Sequence, residues 1–254
     1  MIIRFLGTHN AESKDTRLVS FLIDDVLAVD AGSLVSELTF SEQSVIRVIL
    51  LSHSHYDHIR DIPAFAFNNS SCPAKVCGTK ETLSVLTSHL IDGVIYPEFA
   101  SSASYLTKPA IEICALEPYQ VKDIEGYRVL PIPVNHHDAV GFEISRDGKS
   151  IFYTGDTGQG ISAAWPHVSP QVLITDATFP NRLKQAAQDS GHLYPAMLQG
   201  ELSEFKRLKG YLPAVKLIHL SPRYESEIME DIGAFPEEMR SRITIASEGD
   251  RFTV

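Results

Sequence analysis

The apolar run Val45-Ile46-Arg47-Val48-Ile49-Leu50-Leu51 leads through Ser52 into His53-Ser54-His55-Tyr56-Asp57-His58. A strand that ends in such a cluster has to deliver it into a pocket. Imidazole and carboxylate are common metal ligands, and zinc accepts both. Side chains two apart on a strand point the same way, so His53 and His55 share a direction. Asp57 keeps that phase and His58 sits out of it. The spacing predicts two ions side by side, one held by His53 and His55, the other by Asp57 and His58. Pooled His and Asp at this density carry a mechanism rather than a packing role.

The rest of the chain supplies more strands that end in polar donors. Short apolar runs at residues 2–6, 20–23, 26–29, 45–51 and 76–78 read as strands, with Asp24-Asp25 as a hairpin turn. Residues 79–91 read as a helix, with Thr79 as N-cap and Leu83, Leu86 and Leu90 at helical spacing. Residues 97–110 read as an irregular crossing segment. The layout then repeats, with strands at 111–115, 127–133, 140–145, 150–154, 172–176 and 216–220, and Asp147-Gly148 as a second hairpin turn. Pro195 suits the first position of a helix whose apolar stripe is Leu198, Leu202, Phe205 and Leu208. The tail segments 242–246 and 251–254 would close the sheet. Strands then a helix, twice over, predicts two sheets packed together with helices outside.

Three strand ends complete the ligand set. Val134-Asn135-His136-His137-Asp138, Thr154-Gly155-Asp156-Thr157 and Ile218-His219-Leu220-Ser221-Pro222 each follow or finish a hydrophobic strand. His53, His55 and His136 would hold one ion, and Asp57, His58 and His219 the other. Asp156 and a hydroxide would bridge them, with four or five ligands at each zinc. Two ions ~3.5–4 Å apart can acidify a shared water and clamp the oxygens of a phosphoryl centre.

Composition removes other classes. A formal net charge of −10 argues against broad electrostatic binding of long DNA or RNA. With 254 residues, 44% of them hydrophobic, the chain can build one sizeable core, read as a single domain over 1–254. No apolar run approaches the ~18 residues of a membrane span. The N-terminal apolar stretch is too short for a signal peptide and reads as a first strand ended by Gly7. Three cysteines make no disulfide framework and fit a reducing cytoplasm; Cys72 and Cys77 read as small buried residues.

The motifs His53-x-His55-x-Asp57-His58, His136, Asp156 within Thr-Gly-Asp-Thr, and His219 resemble, in order, those of the metallo-β-lactamase superfamily. The resemblance extends from Met1 to about Glu225. It implies an α/β fold, the αββα four-layer sandwich, with two mixed β-sheets face to face, helices outside and a dinuclear site at one edge. It also implies that Asp30, in Val29-Asp30-Ala31-Gly32, supports the metal site from behind the ligands. The family's Val-x-His phase selects His136; a one-residue slip would select His137.

Within the superfamily, three segments resemble ribonuclease Z and related small phosphodiesterases: Thr175-Asp176-Ala177-Thr178-Phe179, Ser190-Gly191-His192-Leu193, and Leu217-Ile218-His219-Leu220-Ser221-Pro222-Arg223-Tyr224. That likeness implies that His192 protonates the leaving oxygen or stabilises the phosphate, and that Asp176 orients it. Ribonuclease Z usually has Glu at the latter position, and Asp reaches less far. Ribonuclease Z also carries a long tRNA-gripping arm between the motifs matching His136 and Asp156. Here only residues 137–155 lie between, enough for a hairpin.

The expected protein is thus a cytoplasmic hydrolase with two divalent ions, zinc first and manganese or iron as alternatives. Its substrate would be a small or cyclic phosphodiester, attacked by a metal-bridging hydroxide that Asp57 helps orient, with His192 as general acid. Arg223 would bind phosphate, with Tyr224 beside it; the alternative for Arg223 is an ion pair with Glu225 or Glu227. Asn10, Asn181 and Arg182 would line the mouth, whereas His9, His89 and His167 lack a partner pattern. A lactonase or other ester or thioester hydrolase on the same fold is the first competitor. Ribonuclease Z activity is disfavoured by the missing arm, and a non-catalytic metal-binding protein by the intact ligand set. Membrane association is not expected, and a homodimer is left open.

Overall fold

The computed structural model describes residues 1–101 and 109–254. Residues 102–108 of the expected crossing segment lie outside the described residues. The first half of the chain builds β1 (Ile2–Gly7), β2 (Ser20–Ile23), β3 (Leu27–Val29), β4 (Val48–Leu50), β5 (Ala74–Gly78) and β6 (Ile111–Ala115). The second half builds β7 (Lys122–Ile124), β8 (Tyr127–Pro133), β9 (Val140–Arg146), β10 (Lys149–Tyr153), β11 (Val172–Asp176), β12 (Ala214–Ile218), β13 (Ile243–Ile245) and β14 (Arg251–Thr253).

These strands form two seven-stranded mixed sheets, ordered β14-β1-β2-β3-β4-β5-β6 and β13-β12-β11-β10-β9-β8-β7. The α/β sandwich expected from the sequence is therefore the observed architecture. The period of two explains how the layers stick. Val48 and Leu50 face the core between the sheets, while Ile49 and Leu51 face the helices outside the first sheet. Across the interface, Ile151, Tyr153, Val172 and Ile174 enter the same inter-sheet core, and Phe152 and Leu173 pack on the other helical layer with Trp165 and Phe205. Strands buried on both faces need apolar runs, which is why β4 and the start of β11 read that way in the sequence. Each such side chain contributes about 1.5–3 kcal/mol when fully buried.

Turn chemistry sets the hairpins. Asp24 and Asp25 both have positive φ (51° and 57°), as do Asp147 (51°) and Gly148 (74°), the type I′ pattern expected of such dipeptides. Glu125-Gly126 forms a third, with φ of 51° and 84°, and creates the β7–β8 hairpin that the sequence reading omitted.

Other boundaries move. The expected strand 45–51 shortens to Val48–Leu50, because Val45 and Ile46 bond back to the helix Phe40–Gln43 through their N–H groups. The expected helix 79–91 divides into Lys80–Val85, capped as expected by Thr79, and a π-helical turn Leu86–Leu90. Leu208 falls outside the buried stripe of the helix Pro195–Lys209 and is exposed. The tail does not close one sheet: β13 joins the second and β14 returns to the first, beside β1. Cys72 is exposed rather than buried, Cys77 is buried, and all three cysteines are free. Among the described residues no helix is long and apolar enough to cross a membrane.

The topology positions the site. β3 and β4 are parallel, as are β10, β11 and β12. Their carboxyl ends, together with the end of β8, lead to Asp30, His53, Asp156, Asp176, His219 and His136. Ligand sites form at such carboxyl ends because several loops converge there while the strands hold their origins fixed.

Candidate metal centre

The chain leaves β4 at Leu50 and turns through Ser52–His55 into the short helix Tyr56–Ile59, with His55 at its N-cap. His53 and His55 therefore do not share a direction through strand alternation. They meet because the turn folds both rings, 4.6 Å apart, toward His136. The helix then carries Asp57 and His58 in its first turn. On the opposite sheet, His136 sits in the β8–β9 turn, Asp156 follows β10, and His219 ends β12 in a left-handed conformation, φ 56°. That φ takes His219 out of the expected strand 216–220, so its ring leaves the sheet and enters the pocket.

Two donor groups result, His53–His55–His136–Asp156 and Asp57–His58–Asp156–His219, each with ligand atoms within 4.8 Å of one another. Asp156 Oδ2 is common to both. It lies 3.7 Å from His53 Nε2, 3.4 Å from His58 Nε2, 3.8 Å from His136 Nε2 and 3.3 Å from His219 Nε2. His219 Nε2 also stands 3.3 Å from Asp57 Oδ2, and His136 Nε2 stands 3.1 Å from His55 Nδ1.

The imidazoles are held from behind. The Nδ1 atoms of His53, His58, His136 and His219 engage Ser52 Oγ (3.0 Å), Asp30 Oδ2 (2.8 Å), the Gly191 carbonyl (3.0 Å) and Thr178 Oγ1 (3.0 Å). Each contact turns Nε2 toward Asp156, and such partners fix tautomer and ring orientation for metal binding. Asp30 is the hub. Fully buried, it accepts from Ser52 N–H, Ser52 Oγ and Tyr153 OH as well as from His58.

The donors fit divalent ions on their own chemistry. His53 Nε2, His58 Nε2 and Asp156 Oδ1 are buried without a hydrogen-bond partner among the described residues. An unsatisfied buried polar atom costs about 1–3 kcal/mol, so lone pairs left pointing into a shared pocket call for an acceptor of electron pairs. Burial, reinforced by neighbouring His58, pushes His53 well below the ordinary imidazole range, and burial also lowers His55 and His136, leaving neutral rings suited to ligation. Burial opposes charge on His58 as well, but Asp156 and Asp30 outweigh it and raise that imidazole. Asp57 and Asp156 stay ionised despite burial because His219 and His58 hold both carboxyls below the usual range.

A third group flanks these donors. His192 follows Gly191 in the loop before the helix Pro195–Lys209, stacked 5.0 Å from the His219 ring and tilted 4.9 Å from His136. Its Nδ1 lies 3.2 Å from Asp176 Oδ2, which also accepts from Leu193 N–H. Burial opposes protonation of His192, yet the hydrogen bond to Asp176 outweighs it and raises the imidazole. Burial raises Asp176 in turn, against the pull of His192. The shorter Asp side chain thus reaches its histidine.

Among the histidines at the turn, His136 points inward and is buried, whereas His137 is exposed with its ring 4.8 Å from His55. Arg223 is exposed and has no ion-pair partner among the described residues; Glu227 pairs with Arg182 and Glu225 with His9 instead. Tyr224 packs against Phe179, under the Arg182 guanidinium. Asn181 is occupied structurally, its Oδ1 accepting from Ala196 N–H at the start of the long helix. Sequence reasoning missed Ser52, Tyr153, Thr178 and the Gly191 carbonyl as supports. Ser52 and Thr178 adjoin the motifs, but their partners are distant in sequence and nothing local marks them. His9, given no role, is buried and paired with Glu248 at 2.7 Å.

Comparison with known proteins gives this geometry its context. Residues 21–233 match the family model described as a beta-lactamase superfamily domain. Cleavage and polyadenylation specificity factor 73 of Drosophila melanogaster is 24% identical over 62% of this chain, but the chain spans only 25% of that protein's length. A second curated relative, an endoribonuclease of Emericella nidulans, is likewise matched over 24% of its length. The 3′,5′-cyclic-nucleotide phosphodiesterase 1 of Saccharomyces cerevisiae is 26% identical, covering 92% of this chain and 79% of that one. Among solved structures, the yeast PDE1 enzyme superposes with a TM-score of 0.82 at 18% identity over 98% of both chains. The metallo-beta-lactamase fold protein YhfI of Bacillus subtilis superposes with a TM-score of 0.78 at 17% identity over 99% of both. At these identities the superpositions establish the fold.

Proposed function

The chain belongs to the beta-lactamase superfamily, and on that premise we propose that it is a metal-dependent hydrolase of small phosphodiesters. His53, His55, His136 and Asp156 would hold one divalent ion, and Asp57, His58, Asp156 and His219 a second, with zinc suited to the His-rich set and manganese or iron as alternatives. Bound there, two such ions supply Lewis acidity toward phosphoryl oxygens and lower the pKa of water. Asp57, the more exposed of the two carboxylates at 28%, faces incoming water and orients it.

The observation that carries the reading is the Asp176–His192 pair beside both donor groups. Donation of Nδ1–H to Asp176 fixes the ring and leaves Nε2 to hold the second proton. The Asp176 carboxylate raises the imidazole above its ordinary range, the direction a general acid requires. An alkoxide leaving from phosphorus needs this proton; an activated aryl oxide does not. Between His136 and Asp156 the chain makes only the β9–β10 hairpin, which supports a small substrate over a gripped tRNA. Free cysteines are consistent with a reducing cytoplasm.

The test pairs substrate class with leaving group. The zinc-loaded protein is expected to hydrolyse bis-para-nitrophenyl phosphate and alkyl phosphodiesters in preference to lactones and thioesters. His192→Ala should reduce turnover of alkyl diesters by ~10²–10⁴-fold and that of the nitrophenyl diester far less. Lactone or thioester turnover without phosphodiester turnover would replace the reading with an ester hydrolase. Equal losses on both diesters would remove the general-acid role.

A further inference from the structure

The pair that flanks the two donor groups belongs to a third. Asp176, His192 and His219, all buried, bring three ligand atoms within 4.8 Å of one another. Two parallel strands set this up: Asp176 ends β11 in register with Ile218, and His219 follows at the end of β12. The loop before the helix Pro195–Lys209 adds His192, whose ring stacks on that of His219 at 5.0 Å with 26° between planes. The Nδ1 edge of each ring is turned toward the carboxylate. His192 Nδ1 lies 3.2 Å from Asp176 Oδ2, and His219 Nδ1 reaches it through Thr178 Oγ1, 3.0 Å from the ring and 3.3 Å from Oδ2.

Hydrogen bonding leaves this group unfinished. His192, Leu193 N–H and Thr178 Oγ1 all crowd Asp176 Oδ2, none closer than 3.2 Å, at the long end of the normal range. Asp176 Oδ1 is buried with no partner among the described residues. A fully buried carboxylate therefore retains an unused acceptor beside two imidazoles. Two histidines and a carboxylate make the three-ligand set of an open zinc site, and imidazole also suits copper and nickel.

We propose that Asp176, His192 and His219 form a third, weaker cation site, which takes zinc or another imidazole-preferring divalent ion when free metal is high and thereby inhibits the protein. The site stands on its own donors; its inhibitory effect rests on the phosphodiester reading. An ion here accepts the His192 Nδ1 lone pair, and the proton that Nδ1 carried passes to water. The ring then holds one proton where the general acid holds two. His219 adds a second loss. A neutral imidazole has one free lone pair, so this ion competes for it with the ion held by Asp57, His58 and Asp156. Displacing a proton and sharing a ligand make this the last of the three sites to fill.

Equilibrium dialysis against buffered free zinc, with the bound metal counted by atomic emission, reads the site without substrate. The protein is expected to hold two zinc ions per chain and to gain a third at ~10–100-fold higher free zinc. Asp176→Asn and His192→Ala should each keep two and lose the third; the two retained ions show that the variant is folded. A plateau at two, or a third ion that persists in both variants, overturns the site. Across the range where the third ion binds, turnover of alkyl diesters should fall by ~10²-fold or more. A third ion that leaves this turnover unchanged overturns the inhibitory role. A third ion in a protein that hydrolyses no phosphodiester upholds the site and overturns the hydrolase reading instead.

Discussion

Replacing Asp30 by Asn changes one atom and should disable much of the site. Oδ1 of Asp30 accepts from Ser52 N–H at 2.8 Å; Oδ2 accepts from Ser52 Oγ, Tyr153 OH and His58 Nδ1 at 2.8, 2.6 and 2.8 Å. An amide nitrogen placed at Oδ1 meets the Ser52 N–H donor head-on. Placed at Oδ2, it forces both hydroxyls to reverse and His58 to accept at Nδ1, which puts the ring proton on Nε2, the atom facing Asp156. Either orientation sacrifices a hydrogen bond to a charged group in a fully buried setting, about 1.5–3 kcal/mol. At ~2–4 °C per kcal/mol for a chain of this size, Tm should fall by roughly 3–12 °C. The second orientation also removes a ligand lone pair, so zinc affinity should fall by ~10–100-fold. Thermal unfolding and competition titration against a calibrated chelator read the two effects separately. An Asp30→Asn protein that keeps its Tm within a degree and its zinc affinity within twofold would refute the hub role.

Thr178→Val removes the hydroxyl that meets His219 Nδ1 at 3.0 Å while keeping the shape. It should weaken zinc binding by ~10-fold or more, seen in the same titration, with about 1 kcal/mol lost in urea unfolding. Zinc itself should stabilise the fold by about 2.7 kcal/mol at a hundredfold excess over Kd, measured as a concentration-dependent rise in Tm that a chelator reverses. The His9–Glu248 pair should impose a pH window. Glu248 is partly buried, which opposes ionisation, but His9 and the Arg17 N–H hold it down at about 2, so its stabilisation is full above pH 4.5 and lost as pH falls toward 2. Burial likewise opposes charge on His9, yet Glu248 and Glu225 raise it, so its stabilisation is full below pH 6.5 and fades as pH rises through the raised value. His9→Gln should therefore cost about 1–2 kcal/mol in urea unfolding at pH 5.5 and clearly less at pH 9. A loss equal at both pH values would contradict the pairing.

Much of the fold was legible because its strands obey simple rules. Alternate residues of β4 and β10 enter different cores, so both faces demand apolar side chains and the runs stand out. Asp24-Asp25 and Asp147-Gly148 announced their turns because few residues tolerate positive φ. The short helices Tyr56–Ile59 and Ile62–Asn68 were not legible, since a turn or two of helix carries too little periodicity to separate from a loop. The helix Glu225–Gly233 hid for a related reason: only Ile228 and Ile232 are buried in it.

The donors themselves were determined by the sequence alone: which residues bear imidazoles and carboxylates, in what order, and at the ends of which apolar runs. Covalent spacing and strand length carry that information locally. The tertiary structure decided how the donors meet. The turn after β4 brings His53 and His55 together, the left-handed His219 swings into the pocket, and Asp156 Oδ2 lies among four imidazoles. It also chose Ser52, Thr178 and the Gly191 carbonyl to hold those rings alongside Asp30, the support that the family likeness had already marked, and opened a cavity between the Asn135 and Gly191 loops. These contacts join residues that are far apart along the chain. They form only when two sheets stack with their carboxyl ends at one edge, because a hydrogen bond fixes direction only after packing has fixed position.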